Sequence, residues 1–277
     1  MKKTSPAKAT GQRPFLKWAG GKYLIVERIR NSLPEGNRLI EPFVGAGSVF
    51  LNTDFARYTL NDINKDLINV FKVLKKEKER FVAYCYEFFT DKNNSRSAFL
   101  ALREQFNTTD DIRLKAALFI YLNRHAFNGL MRYNQQGLFN TSFGDYKKPY
   151  FPEQEMLAFA KKSHLARFSC QDFSTVMKKA VPGDVVYCDP PYVPLSVTAN
   201  FTKYHSSGFG LAEQEKLVTL AKELASQGIT VVISNHDTEF VQDLYQGASI
   251  ESFSVRRYIS CNPKERNKAK ELLAVFD

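Results

Sequence analysis

The stretch VVYCDPPY, from Val185 to Tyr192, places a carboxylate at the end of an apolar run and follows it with two prolines and a tyrosine. Proline fixes its own φ and restrains the residue before it, so Asp189, Pro190 and Pro191 present a carboxylate and two carbonyls on an extended backbone. All of these groups are acceptors. An exocyclic aromatic amine is a weak nucleophile because its lone pair is delocalised into the ring. Accepting its two hydrogens on a carboxylate and a carbonyl draws the nitrogen towards tetrahedral geometry and frees that pair to attack. Tyr192 offers a flat face on which a planar base can stack. The chemistry these residue types suit is transfer of a group to an amino nitrogen held in a planar system. A rigid loop after a strand explains the same residues unless the chain supplies a second site upstream.

Two upstream features supply one. FVGAGS, from Phe43 to Ser48, gives Gly45 and Gly47 in a G-x-G pattern after a strand and before a helix, where the backbone can approach a ligand closely. Phe50 stands where a full dinucleotide fingerprint has its third glycine, which weakens a hydride-transfer reading. Asp62 lies at the end of the next strand, where an acid can accept hydrogen bonds from ribose hydroxyls. A tight turn at the glycines and a helix cap at Asp62 or Asn64 are the plainer alternatives.

The elements around these residues alternate. RLIEPF and YTLND read as strands, and NKDLINVFKVLKKEKE as an amphipathic helix with Leu67, Phe71 and Leu74 on one face. DVVYCD and ITVVIS are β-branched runs separated by a helical segment that stops at Gly228. Strands alternating with helices predict an α/β fold with a mostly parallel sheet covered on both faces. From about Arg80 to Lys162 the spacing is helical and then turns rich in Asn, Gly, aromatic and basic residues, with NQQG marking a hairpin turn. SIESFSV reads as a returning strand, and ELLAVF as strand or helix.

Charge is unevenly spread. Lys and Arg number 39 against 29 Asp and Glu, a net +10. The first thirty residues hold eight of those bases and only one acid, Glu27, while Arg256 to Lys270 forms a second basic cluster. Segregated positive charge suits a polyanionic partner, or simply a soluble basic protein. Cys85, Cys170, Cys188 and Cys261 are scattered, and the four histidines have no ligand spacing, so neither a metal nor a disulfide framework is expected. With no long apolar run and no apolar segment behind the basic start, no membrane partner and no signal peptide are expected, and a cytoplasmic location is.

FLKWAGGK, EPFVGAGSVFLN, YLNRHAFNGLMRYN, KKPYFP, DPPYVPLSVTANFTKYH and ISNHDT together resemble, in order, the Dam family of DNA adenine methyltransferases, from about Phe15 to Ile259. The resemblance implies a Rossmann-like core at 14–75 and 165–277 and a target-recognition insert at 76–164, while the start, rich in Lys, Ser, Pro, Ala and Gly, reads as a flexible, solvated basic tail at 1–13. It implies S-adenosylmethionine as donor and the N6 amine of adenine in duplex GATC as acceptor. Trp18, Lys22, Phe43, Gly45, Gly47, Asp62 and Asp189 would then surround the donor, with Asp189, Pro190, Pro191 and Tyr192 as the catalytic group.

Adenine inside a duplex must be flipped to reach such a pocket. The resemblance offers Tyr146 to stack in the opened duplex, Arg132 and Lys17 to read guanines, Leu130 to meet a thymine methyl, and Lys147 and Lys148 for phosphates. The family pattern has proline where this chain has Ser142, arginine where it has Asp145, and an aromatic residue where it has His125, which reads as packing. A monomer acting on DNA near the nucleoid is expected. The alternatives are methylation of an RNA or protein amide nitrogen, or a DNA-binding relative without activity.

Overall fold

A computed structural model of the chain describes residues 11–192, 209–255 and 269–277. The start of the basic tail, the 193–205 part of the resemblance and most of the second basic cluster lie outside these residues, as do His205 and Cys261. The strands are β1 (Arg38–Glu41), β2 (Arg57–Asn61), β3 (Ala166–Ser169), β4 (Asp184–Cys188), β5 (Thr230–His236), β6 (Ser249–Val255) and β7 (Ala269–Phe276). The chain divides into two compact units. One comprises residues 1–30, 44–54 and 62–170, and the other 31–43, 55–61 and 171–277.

The second unit holds the sheet order β2-β1-β4-β5-β7-β6. β2, β1, β4 and β5 run parallel, with Ile40 level with Val186 and Cys188 level with Ile233. β7 runs antiparallel between β5 and β6, so ELLAVF is a strand. The fold is therefore α/β with a mostly parallel sheet, as the alternation of elements predicts. Val185 to Cys188 and Val231 to Ile233 are buried without a polar break, the pattern of strands covered on both faces. Phe173, Leu217, Leu220, Ala221 and Leu224 pack on them from the helices Phe173–Met177 and Leu211–Ala225. Arg38 pairs with Asp184, joining the starts of β1 and β4.

The first unit is largely helical, with Lys65–Glu77, Glu79–Tyr86, Arg96–Thr108, Ile112–His125 and Glu153–Lys162. Its core is aromatic: Phe159 meets Phe71 at 4.6 Å, Phe15 at 5.2 Å and Phe50 at 5.4 Å between ring centres. Leu67, Phe71 and Leu74 are all fully buried, as their shared helical face requires. That helix packs against Ile112–His125 within the same unit. Gly11 and Gln12, placed in the solvated tail, are fixed: Asn52 accepts from the Gln12 amide at 2.7 Å and donates to its carbonyl at 2.9 Å, and Tyr23 donates to the Gly11 carbonyl.

Candidate active site

The segment of the first unit that begins at Val44 turns at two glycines. Gly45 (φ +49°) and Gly47 (φ +75°) adopt left-handed backbone that a side chain would strain, and the turn ends at the short helix Ser48–Leu51. A Cβ at Gly45 would stand 3.0 Å from two atoms of the Trp18 ring. Trp18 in turn stacks on Phe119. The Gly45 amide donates to Asp62 Oδ2 at 3.1 Å, and the Asn64 amide donates to Oδ1 at 2.9 Å. Burial raises the Asp62 carboxyl above its ordinary range, and the amides of Asn64, Gly45 and Ile63 oppose that shift. Helix capping falls to Asn64, whose side chain accepts from the Leu67 amide, so Asp62 is not the cap. Lys22 is buried and donates to the Gly20 carbonyl at 2.7 Å. Trp18, Gly45 and Asp62 are thus brought together as an indole lying over bare backbone beside a half-buried acceptor. That combination fits a nucleoside, which needs a flat apolar cover and a partner for its hydroxyls.

In the second unit Phe43 packs its ring on Phe173 and Phe209, joining the hydrophobic core. Asp189 is the first residue beyond β4. Its Oδ1 accepts from the Ser234 hydroxyl on β5 at 2.9 Å, and Ser234 accepts from the Tyr187 hydroxyl at 3.1 Å. Both hydroxyl-bearing residues are buried. The Pro191 carbonyl accepts from the Gln214 amide at 2.8 Å, and Gln214 accepts from Asn235, so the loop is fixed from the neighbouring helix and strand. Tyr192 donates to Glu271 on β7 at 3.3 Å and meets the His236 ring edge-on at 4.7 Å. Burial, helped by the charges of Asp189 and Glu271, raises the Tyr192 phenol well above its ordinary value, which keeps it a neutral donor. Ser234, Tyr187, Gln214 and Glu271 escaped the sequence reading. ISNHDT was the available signal for the first of them, a hydroxyl closing an apolar strand.

The residues expected at DNA lie in the first unit. Asn123, fully buried, accepts from the Lys17 amide at 2.9 Å and donates to the Lys17 carbonyl at 2.8 Å and to the Gly129 carbonyl at 3.1 Å. The Lys17 ammonium sits 4.5 Å from the centre of the Tyr146 ring, and burial together with Arg124 lowers its pKa. Tyr146 accepts from the Asn128 amide through its hydroxyl. NQQG makes the expected turn: the Gly137 amide donates to Asn134 and Tyr133 bridges to Phe139. Arg132 is exposed there, its guanidinium donating to the Asn140 side chain at 2.8 Å. Leu130 is half-buried, while Lys147 and Lys148 are exposed beside Asp145, which takes a φ of +52°. Phe127, with 53% of its surface exposed, and Asn128 at a φ of +54° were not singled out on sequence, although an aromatic residue before Asn-Gly was legible as a turn tip. His125 is buried, stacks on Tyr121 at 3.9 Å and shares a hydrogen bond with the Tyr121 carbonyl.

No cluster of potential metal ligands occurs among the described residues, and none of their helices is long and apolar enough to cross a membrane. A model of the D12 class N6 adenine-specific DNA methyltransferases matches residues 18–259. A DNA adenine methylase of Serratia marcescens is 53% identical over 95% of this chain and 98% of its own length. Proteins of the same name from Vibrio cholerae and Escherichia coli K12 are 52% and 50% identical, over 96% of both chains in the first case and 95% of both in the second. Among solved structures a METTL16 methyltransferase domain superposes with a TM-score of 0.37 at 8% identity, over 91% of this chain and 79% of that one, too loose a likeness to bear on the fold.

Proposed function

Because the chain belongs to the D12 class of N6 adenine-specific DNA methyltransferases, we propose that it transfers the methyl group of S-adenosylmethionine to the N6 amine of an adenine flipped out of duplex DNA, within GATC. The observation that carries the proposal is Asp189, held by Ser234 at the first position beyond a central parallel strand and followed by Pro-Pro-Tyr. Asp189 takes one hydrogen of the amine. Gln214 already occupies the Pro191 carbonyl, so the Pro190 carbonyl is assigned the other hydrogen. Tyr192 presents its ring to the base. Once methylated, the nitrogen is acidic and releases a proton to Asp189 or water.

S-adenosylmethionine, when bound, supplies a methyl group already activated on a sulfonium. For its nucleoside, Asp62 accepts from the ribose, Gly45 and Gly47 let the backbone close in, and Trp18 covers the base. Lys22, Phe43 and Asp189 complete the set assigned to the donor. The segment 76–164 is proposed as the recognition insert, with Arg132 and Lys17 on guanines, Leu130 on a thymine methyl, and Lys147 and Lys148 on phosphates. Flipping costs a few kcal/mol, roughly, and something must brace the gap. Tyr146 is tied by its hydroxyl and lies under Lys17, whereas Phe127 is exposed at a turn tip, which favours Phe127 for that role. The protein is proposed to act as a monomer on DNA in the cytoplasm, at the nucleoid.

The test offers labelled donor with methylation-free DNA, RNA and protein, and maps the modified base. N6-methyladenine confined to GATC is expected. Label in RNA or protein instead would overturn the proposal, and N6-methyladenine in another sequence would overturn GATC alone. Asp189→Ala should abolish transfer while leaving DNA affinity largely intact.

A further inference from the structure

Ser234 sits where an apolar residue would be expected. It continues the fully buried run Val231, Val232 and Ile233 on β5, and is itself fully buried. A hydroxyl in such a place is costly unless its hydrogen bonds are made. They are made to β4: Tyr187 donates to Ser234 at 3.1 Å, and Ser234 donates to Asp189 Oδ1 at 2.9 Å, with the Cys188 carbonyl a longer alternative at 3.3 Å. Because the Tyr187 hydrogen is directed at the serine oxygen, the serine hydrogen is left to point at the carboxylate. Tyr187 is itself buried, and β4 and β5 pair in parallel with Cys188 level with Ile233, which brings Asp189 level with Ser234. The chain Tyr187–Ser234–Asp189 therefore rests on two central strands rather than on a loop. Neither hydroxyl belongs to the strand ladder: their shortest contact beyond each other is the Asp189 carboxylate, and Ser234 also lies within hydrogen-bonding reach of the Tyr192 hydroxyl, in the same catalytic group.

We propose that Ser234, oriented by Tyr187, is a positioning residue that fixes the rotation of the Asp189 carboxylate so that it meets the target amine in line for transfer. The proposal rests on the assignment of Asp189 made above. Its physical basis is that a reacting group displaced by about 1 Å can lose on the order of a hundredfold in rate, while binding made elsewhere is unaffected. Ser234 touches neither amine nor donor in this scheme and acts only through Asp189.

Single-turnover methylation of a duplex carrying one site would be measured for Ser234→Ala, Ser234→Thr, Tyr187→Phe and Asp189→Ala, with donor and DNA affinities measured separately. Ser234→Ala is expected to slow transfer by about 10- to 100-fold with both affinities within about twofold of the native values. Ser234→Thr keeps the hydroxyl, suits a strand, and should recover the rate to within about fivefold of native. Tyr187→Phe leaves Ser234 in place without its orienting donor, and should slow transfer by about threefold or more; it keeps the proposal open to test should Ser234→Ala fail to fold. A rate for Ser234→Ala within about fivefold of native, a threonine variant as slow as the alanine one, or loss of affinity in parallel with rate would each overturn the positioning role. Persistent transfer by Asp189→Ala would instead overturn the assignment of Asp189 on which it rests.

Discussion

At Gly45 the backbone and the Trp18 ring leave no room for a side chain. The residue combines a φ of +49° with a Cβ position 3.0 Å from the indole, so Gly45→Ala must either strain the turn or push Trp18 aside. Strain alone costs folding stability, about 1–3 kcal/mol, whereas a displaced Trp18 no longer covers the donor's base and should weaken S-adenosylmethionine binding by roughly tenfold in calorimetric titration while DNA affinity holds. An unchanged donor affinity would move the donor away from this turn. The spacing of Gly45 and Asp62 already suggested a shared site. What spacing does not convey is the direct amide-to-carboxylate bond between them, because it is made by residues 17 apart whose meeting depends on the turn geometry. Arg132 was legible only through the resemblance. Its exposed guanidinium, steadied by Asn140, leads to the expectation that Arg132→Ala lowers discrimination at one base pair of the site by about 1–3 kcal/mol, read as the ratio of kcat/KM between cognate and single-substitution duplexes. Equal ratios for native and variant protein would remove it from base reading.

Among the elements, the strands and long helices followed directly from periodicity: the β-branched runs became β4 and β5, and the face of Leu67, Phe71 and Leu74 became core. ELLAVF was ambiguous because so short an apolar run suits either state, and pairing with both β5 and β6 decided it. The helix Ile112–His125 shows a property no pattern reveals. Histidine at a helix carboxyl end ordinarily gains a proton more readily, yet burial lowers the pKa of His125 to about 4. An unfolded histidine binds its proton near pH 6.5, roughly, so between there and about pH 4 the unfolded chain holds more protons than the folded one. The stability contributed by the neutral buried ring is complete above that range and is lost progressively as pH falls through it, by an amount on the order of 3 kcal/mol. Denaturant unfolding across this range should show the decline, and His125→Phe, which keeps an aromatic ring on Tyr121 without a titrating group, should flatten it. A native curve already flat between these limits would mean that the ring is not held neutral by burial.

For the molecule as a whole, net charge was the most legible property and the least specific. A charge of +10 predicts that DNA affinity falls steeply with salt, because each phosphate neutralised releases a counterion. It does not say which side chains are responsible. Lys147 and Lys148 are exposed side by side, and Asn94 holds the backbone carbonyls of Tyr146 and Lys147, so the pair stands on a fixed segment. Replacing both with glutamine should lower the slope of log affinity against log salt by about 2 without altering site preference. Asp145 supplies the opposite sign on the same segment. Its φ of +52° is a conformation asparagine tolerates well, so Asp145→Asn removes the charge without disturbing the turn. The variant should bind DNA about two- to fivefold more tightly at low salt, with the advantage shrinking as added salt screens the exposed carboxylate. Fluorescence titrations at several salt concentrations separate the outcomes. A constant gain at every salt concentration would mean a new contact rather than relieved repulsion, and no gain at all would place Asp145 away from the phosphates that Lys147 and Lys148 are assigned.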